Sequence, residues 1–147
     1  MESTDVLVIG SGIAGLCAAI EAARTGATVT VASAGKTMSG SSFFPGTWGL
    51  GLIGPVDEDD EQDLIDTIQT VGGGVTDPEL VKTFVHGIPQ AIQWLEKDLG
   101  VELQRPQSAA SAQQKQFIPC FDHKTRMWRG LTRKPLEDAC TAQIELL

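Results

Sequence analysis

Asp5-Val6-Leu7-Val8-Ile9-Gly10-Ser11-Gly12-Ile13-Ala14-Gly15 is the stretch that decides the fold of this 147-residue chain. Its first half is a short apolar run, rich in β-branched residues and ending at glycine, the pattern of a strand buried on both faces. Leu16 through Arg24 follows, rich in alanine, a strong helix former, and Gly26 stands where such a helix would end. Gly26-Ala27-Thr28-Val29-Thr30-Val31-Ala32-Ser33 then reads as a second strand. Strand, glycine turn, helix and strand fall within roughly thirty residues, the setting in which G-x-G-x-x-G acquires meaning. The expectation is an α/β fold that opens with a Rossmann-like βαβ unit and continues in a mostly helical segment.

Each glycine of the motif has a physical task. Gly10 permits the tight turn out of the strand, Gly12 lets the backbone approach a pyrophosphate, and Gly15 allows close helix–strand packing. The free N–H groups and the positive dipole end of the helix then face the diphosphate. Gly10, Ser11, Gly12, Ile13, Ala14 and Gly15 are therefore the candidate cofactor contacts, set against an ordinary glycine-rich βα turn. An acid that binds ribose is expected about 20 residues further on. The chain has Ala32, Ser33 and Ala34 there. Ser33 reads either as a hydroxyl contact to the ribose or as an ordinary turn residue. Lys36 is the one cation nearby and no Arg is placed to select a 2′-phosphate, so this position does not identify the cofactor.

Composition narrows the class. Eleven Lys and Arg against nineteen Asp and Glu give a formal charge of −8, and six of those acids lie between Asp57 and Asp63. Such a balance excludes a nucleic-acid partner, which needs a basic face. A hydrophobic content of 41% with 20% charged residues is that of a globular chain. No apolar stretch approaches the roughly 18 residues of a membrane helix, and the acidic start does not resemble a secretory signal. Cys17, Cys120 and Cys140 are odd in number and lack metal or redox spacing, which implies reduced thiols and a cytoplasmic location.

Downstream, the acid run reads as a solvated helix start in which negative charge complements the dipole, rather than a cation site, since it lacks the spacing of a calcium loop. Leu64, Ile65, Ile68 and Val71 follow as its buried stripe. From Pro78 the positions Leu80, Phe84, Ile88, Ile92, Leu95 and Leu99 recur at helical spacing and imply a core face. Pro89 inside that pattern predicts a kink or a break near Gly87–Pro89. His86 has no companion ligand and reads as structural. Arg105 to Gln116 is a polar loop leading into a short strand at Gln116-Phe117-Ile118, and Pro135 to Leu147 reads as a helix.

Ser39-Gly40-Ser41-Ser42-Phe43-Phe44-Pro45-Gly46-Thr47-Trp48-Gly49-Leu50, then Asp63-Leu64-Ile65-Asp66-Thr67 with Gly72-Gly73-Gly74, then Asp77 through Gly100-Val101, form an ordered series. It resembles the succinate dehydrogenase/fumarate reductase flavoprotein family, which includes L-aspartate oxidase, over residues 4 to 104. The resemblance implies an FAD-binding domain and an FAD-dependent oxidoreductase passing hydride between a small dicarboxylate-like substrate and flavin. It places Ser41 and Ser42 in a loop running past the isoalloxazine ring. Ser41 matches the position where respiratory members carry a flavin-attaching His, so the implied FAD is non-covalent. Aspartate oxidases carry Ser at the ribose position, as Ser33 does. The family's Ala-Gln-Gly-Gly is replaced by Gly46-Thr47-Trp48-Gly49. His123, Arg126 and Arg129 fall in a loop comparable to one that lies near the substrate in aspartate oxidases, and guanidinium groups match carboxylates. A structural or solvent-exposed basic loop is the competing reading, and the Glu and paired His of that oxidase loop are missing.

By this reading residues 1–36 are the βαβ motif, 37–56 the flavin-side loop, 57–104 helices, and 105–147 a loop and terminal helix. The whole is expected to be the N-terminal piece of a longer flavoprotein, with no catalytic residue and no metal site of its own. An NAD-dependent dehydrogenase and a non-enzymatic nucleotide-binding module are the alternatives.

Overall fold

Two short strands, β1 (Val6–Ile9) and β2 (Val29–Ala32), pair in parallel with Val6 opposite Val29 and Ile9 opposite Ala32. The helix between them, α1 (Ile13–Arg24), completes the expected βαβ unit. The computed structural model describes residues 3–44, 50–106 and 123–146. These divide into two units, Met1–Leu50 with Thr132–Leu147, and Gly51–Leu131. The expected strand at Gln116–Ile118, the Gly46–Gly49 segment and Cys120 lie outside the described residues.

In the first unit the strand starts are tied by Asp5, whose carboxylate accepts from the Thr28 hydroxyl and, at 2.9 Å, from the Thr28 N–H. Those two bonds, the hydroxyl first, hold the Asp5 carboxyl below its ordinary pKa. Past the end of α1, Gly26 adopts φ +88°, the left-handed turn that glycine takes without a Cβ penalty. α1 packs on both strands and on the last helix, α4 (Arg133–Leu146), which also packs on a 3₁₀ turn at Ser41–Phe43. Leu16, Ala19, Ile20, Phe43, Leu136 and Cys140 are its buried hydrophobic side chains among the described residues. Burial, with Cys17 adding to it, pushes the Cys140 thiol up to about 11, and burial followed by the charge of Glu21 raises Cys17 as well. Both are free thiols.

The expectation that β1 is buried on both faces needs correction. Val8 meets α1, but Leu7 is 56% exposed and Ile9 84%. The apolar run is real, yet α1 covers one face, and no described element of this unit packs on the other.

The second unit joins β3 (Leu50–Gly54) and β4 (Met127–Leu131) in a two-stranded sheet, with α2 (Glu58–Val71) and α3 (Pro78–Gln93) between them in sequence. Each helix begins as the sequence suggests. The Asp57 side chain accepts from Asp60 N–H at 2.9 Å, and Asp77 accepts from Glu79 and Leu80, with Pro78 in the first turn. Leu64, Ile65, Val81, Val85 and Ile88 form the core, with Ile68, Ile92 and Met127 against it.

α3 differs from expectation twice. Its buried stripe is Val81, Val85 and Ile88, whereas Leu80 and Phe84 are 67% and 60% exposed. Of the kink or break expected near Gly87–Pro89, the break is absent: the helix is continuous through Pro89 and passes into a π segment, Trp94–Asp98, closed by Leu99 N–H donating to the Trp94 carbonyl at 2.9 Å. An interior proline costs about 3 kcal/mol. Three buried aliphatic side chains, at about 1.5–3 kcal/mol each, outweigh it.

Leu64→Ala should lower the unfolding free energy by about 2–5 kcal/mol. Leu80→Ala should change it by less than about 0.5 kcal/mol. Denaturant unfolding of both variants checks the stripe; equal losses would restore Leu80 to the core.

Candidate functional site

The turn from β1 into α1 is built from backbone. Gly10 has φ +107° and donates its N–H to the Ala32 carbonyl at 2.7 Å. A Cβ on Gly15 would lie 2.1 Å from the Gly10 carbonyl oxygen, so only hydrogen fits there. The first helical bond runs from Leu16 N–H to the Gly12 carbonyl, and no side chain caps the helix start. The N–H groups of Ile13, Ala14 and Gly15 thus head the helix without intrahelical partners, the arrangement that suits a diphosphate. The cradle fits the phosphates of a dinucleotide.

The loop after β2 folds over this turn. Ser11 is 1% exposed, and its hydroxyl donates to Ser33 Oγ at 2.9 Å, with the Lys36 carbonyl at 3.3 Å and Ser39 Oγ at 3.4 Å. A Cβ on Gly12 would meet the Ser39 carbonyl at 3.3 Å, and one on Gly40, whose φ is +105°, would meet Gly12 Cα at 3.6 Å. The chain therefore passes against Gly12 just before Ser41 and Ser42 enter the 3₁₀ turn. Six motif residues, Ser33 and the approach to Ser41 converge on one region. The Ser11 contacts were not legible in sequence, because a serine between two glycines looks like filler.

In the second unit the three basic candidates do not share one role. Arg126 is fully buried. Its guanidinium donates to the Asp60 carboxylate, to Asp63 at 2.7 Å and to the Thr67 hydroxyl at 3.3 Å. Asp60, also buried, takes a further ion pair from Lys124 at 2.7 Å and the Val56 N–H at 2.8 Å. This corrects two expectations. Arg126 does not face a substrate, and the acid run is not wholly solvated. The physical reason is the same for both, since a carboxylate and a guanidinium can be buried once each satisfies the other. No local signal marks the pair, whose members are 66 residues apart.

His123 is 60% exposed, with Nε2 3.1 Å from Asp63. It lines a small cavity of about 250 Å³ with Asp63, Asp66, Thr67, Thr70 and Val71. Two carboxylates there oppose a dicarboxylate ligand. Arg129, on β4, donates from Nη1 to the Trp128 carbonyl at 2.8 Å, while its buried Nε has no hydrogen-bond partner among the described residues. Trp128 lies over Gly51 and Gly130, where a Cβ would come within 2.9 and 2.4 Å of the indole. His86 is exposed and 4.0 Å from Glu61, on the surface rather than in the core. No helix among the described residues is long and apolar enough to cross a membrane.

Burial works against the Asp63 carboxylate, but the hydrogen bond and charge of Arg126, with His123 and Lys124, outweigh it and hold its pKa below the ordinary value. A depressed folded-state pKa stabilises fully above the unfolded value of about 4, and the benefit is lost as pH falls through the lower folded one. Asp63→Asn should therefore flatten the acid limb of a pH–stability profile below about pH 4. Asp60→Ala, which takes from the buried Arg126 its buried carboxylate and leaves it Asp63 and Thr67, should cost about 1–3 kcal/mol in denaturant unfolding at neutral pH.

Comparison with known proteins agrees with the glycine turn. L-aspartate oxidase of Halobacterium salinarum is 41% identical over 91 residues, covering 62% of this chain and 17% of that protein. NADH:fumarate oxidoreductase of Klebsiella pneumoniae is 33% identical over 109 residues, covering 69% of this chain and 12% of that protein. The chain thus spans under a fifth of the length of either relative. An open conformation of a flavocytochrome c3 fumarate reductase superposes with a TM-score of 0.70 at 23% identity, over 99% of this chain and 25% of that one, which establishes the shared fold. A family model described as FAD binding domain matches residues 5–142, and the chain accordingly belongs to that FAD-binding family.

Proposed function

We propose that this chain is the amino-terminal part of a longer FAD-dependent oxidoreductase that passes hydride between flavin and a small dicarboxylate-like substrate. One observation carries the reading: the uncapped start of α1 behind Gly10, Gly12 and Gly15 is a ready diphosphate cradle in a chain of the FAD-binding family. Bound FAD supplies the hydride acceptor, and the residues present here supply binding and orientation. Ile13, Ala14 and Gly15 N–H groups would hold the diphosphate. Ser33 would face the ribose, while Ser41 and Ser42 would lie on the flavin side. The cofactor is held without a covalent link, because the position that would attach it is Ser41.

The names of the relatives, an oxidase of aspartate and a reductase of fumarate, support a dicarboxylate substrate. Arg129, whose Nε lacks a partner among the described residues, is the candidate carboxylate contact in this part of the protein. The bare face of the first sheet, with Ile9 84% exposed, supports a larger parent, since parallel sheets are ordinarily covered on both faces. The free Cys17 and Cys140 thiols support a cytoplasmic location.

Reconstitution tests the cofactor. The protein incubated with FAD should keep a visible flavin absorbance band through gel filtration and release intact FAD on denaturation. A protein that retains NAD and no flavin would return the assignment to a nicotinamide dehydrogenase.

A further inference from the structure

We infer that Ser11 is a positioning residue for the adenosine ribose of the cofactor, acting through the hydroxyl of Ser33. The inference rests on the flavin reading above and extends it to a residue that touches no ligand. Ser33 follows Ala32, the last residue of β2, and is exposed, whereas Ser11 is 1% exposed and turned into the loop that follows β2. Ligands of such sheets bind outside the carboxyl ends of the strands, where both serines stand, but the Ser11 side chain is turned away into the loop while that of Ser33 is exposed.

Proton bookkeeping defines what Ser33 offers. A hydroxyl has one proton and two lone pairs. Ser33 Oγ lies 2.9 Å from the Ser11 hydroxyl and, at a long 3.5 Å, accepts from the Gly35 N–H. The single Ser11 proton has two acceptors in reach, Ser33 Oγ and the Lys36 carbonyl, so the Ser11–Ser33 bond can run in either sense. In both senses Ser33 keeps hydrogen-bonding capacity toward the ribose position, and a ribose hydroxyl, donor and acceptor alike, matches it. Loss of the usual acid therefore does not abolish the contact.

Ser11 fixes the rotamer in which Ser33 presents its hydroxyl. An exposed serine samples three staggered rotamers. The 2.9 Å bond from a buried, immobile partner holds one of them. The Lys36 carbonyl and Ser39 Oγ, at 3.3 and 3.4 Å, keep Ser11 itself in place. Removing Ser11 therefore frees Ser33 without removing its hydroxyl.

The test compares FAD with FMN, which shares the flavin and one phosphate but lacks the adenosine. Dissociation constants come from flavin fluorescence titration of the flavin-free protein. Ser33→Ala should weaken FAD binding about five- to tenfold, the scale of one hydrogen bond, and Ser11→Ala by up to about threefold, the scale of releasing one of three rotamers; both should leave FMN binding unchanged. The double variant should be no weaker than Ser33→Ala, because Ser11 acts only through that hydroxyl. Ser33→Thr, which keeps a hydroxyl at an exposed position, should bind FAD like the wild type. Unchanged FAD affinity in Ser33→Ala overturns the ribose contact and leaves Ser33 a turn residue. Equal loss of FAD and FMN in Ser11→Ala, or additive losses in the double variant, overturns the positioning role and makes Ser11 a loop anchor. A wild-type protein that binds neither flavin defeats the cofactor reading itself, an outcome the variants cannot mimic.

Discussion

The contact between Gly15 and the Gly10 carbonyl constrains everything in the first unit. A side chain at Gly15 would need a Cβ 2.1 Å from that oxygen and 3.3 Å from Val8 Cγ1, so helix and strand approach as closely as backbone allows. That approach fixes where α1 begins, and Gly10, at φ +107°, delivers the chain to it in one residue. The first N–H groups of α1 then head the helix with neither side-chain cap nor intrahelical partner. The binding geometry is therefore a consequence of packing. The same absence of side chains that permits the close approach also leaves room for a diphosphate.

The second unit is ordered by the opposite means. Arg126 reaches Asp60, Asp63 and Thr67, positions three and four residues apart on successive turns of α2. A buried pair of this kind contributes little net stability compared with apolar side chains of equal volume, because desolvation cancels much of the attraction. Its effect is on register. Rotating α2 by one residue, or sliding it by a turn, would draw both carboxylates away from a buried guanidinium. The apolar contacts of Leu64 and Ile65 would tolerate such a shift far better, since hydrophobic burial is non-directional.

Much of this was legible in the chain before any coordinates. The glycine turn, the parallel strands, the helix start in the acid run and the proline opening α3 all rest on interactions within a few residues, and local sequence encodes them directly. Burial was legible only in part. Periodicity identified apolar residues but could not say which neighbour would cover them, so Leu7, Ile9, Val71, Leu80 and Phe84 were assigned to a core that leaves them exposed. On α3 the error is confined to the first two turns, where Val81 and Val85 take the place of Leu80 and Phe84, while Ile88 and Ile92 meet the core as expected. The continuous helix through Pro89 follows from the same missing information, because the cost of the proline was visible and the packing that offsets it was not.

The polar interior was the least legible part, and it is the part that determines what the exposed groups can do. Ser11, Asp60 and Arg126 are buried against residue-type expectation, and each is explained by a partner distant in sequence, 22 residues away for Ser11 and 66 for the ion pair. A buried polar group must be satisfied, so its partner is held in one geometry as firmly as it is. When that partner is exposed, as Ser33 is, the buried group decides which atom is presented to solvent or ligand. When the partner is buried too, as for Asp60 and Arg126, the first consequence is helix register. Whether a residue bears on binding or only on architecture thus depends on where its hydrogen-bond chain ends. The chain from Ser11 ends at the mouth of the glycine turn, and the chain from Arg126 passes through Asp63 to the exposed His123 at the rim of a small cavity.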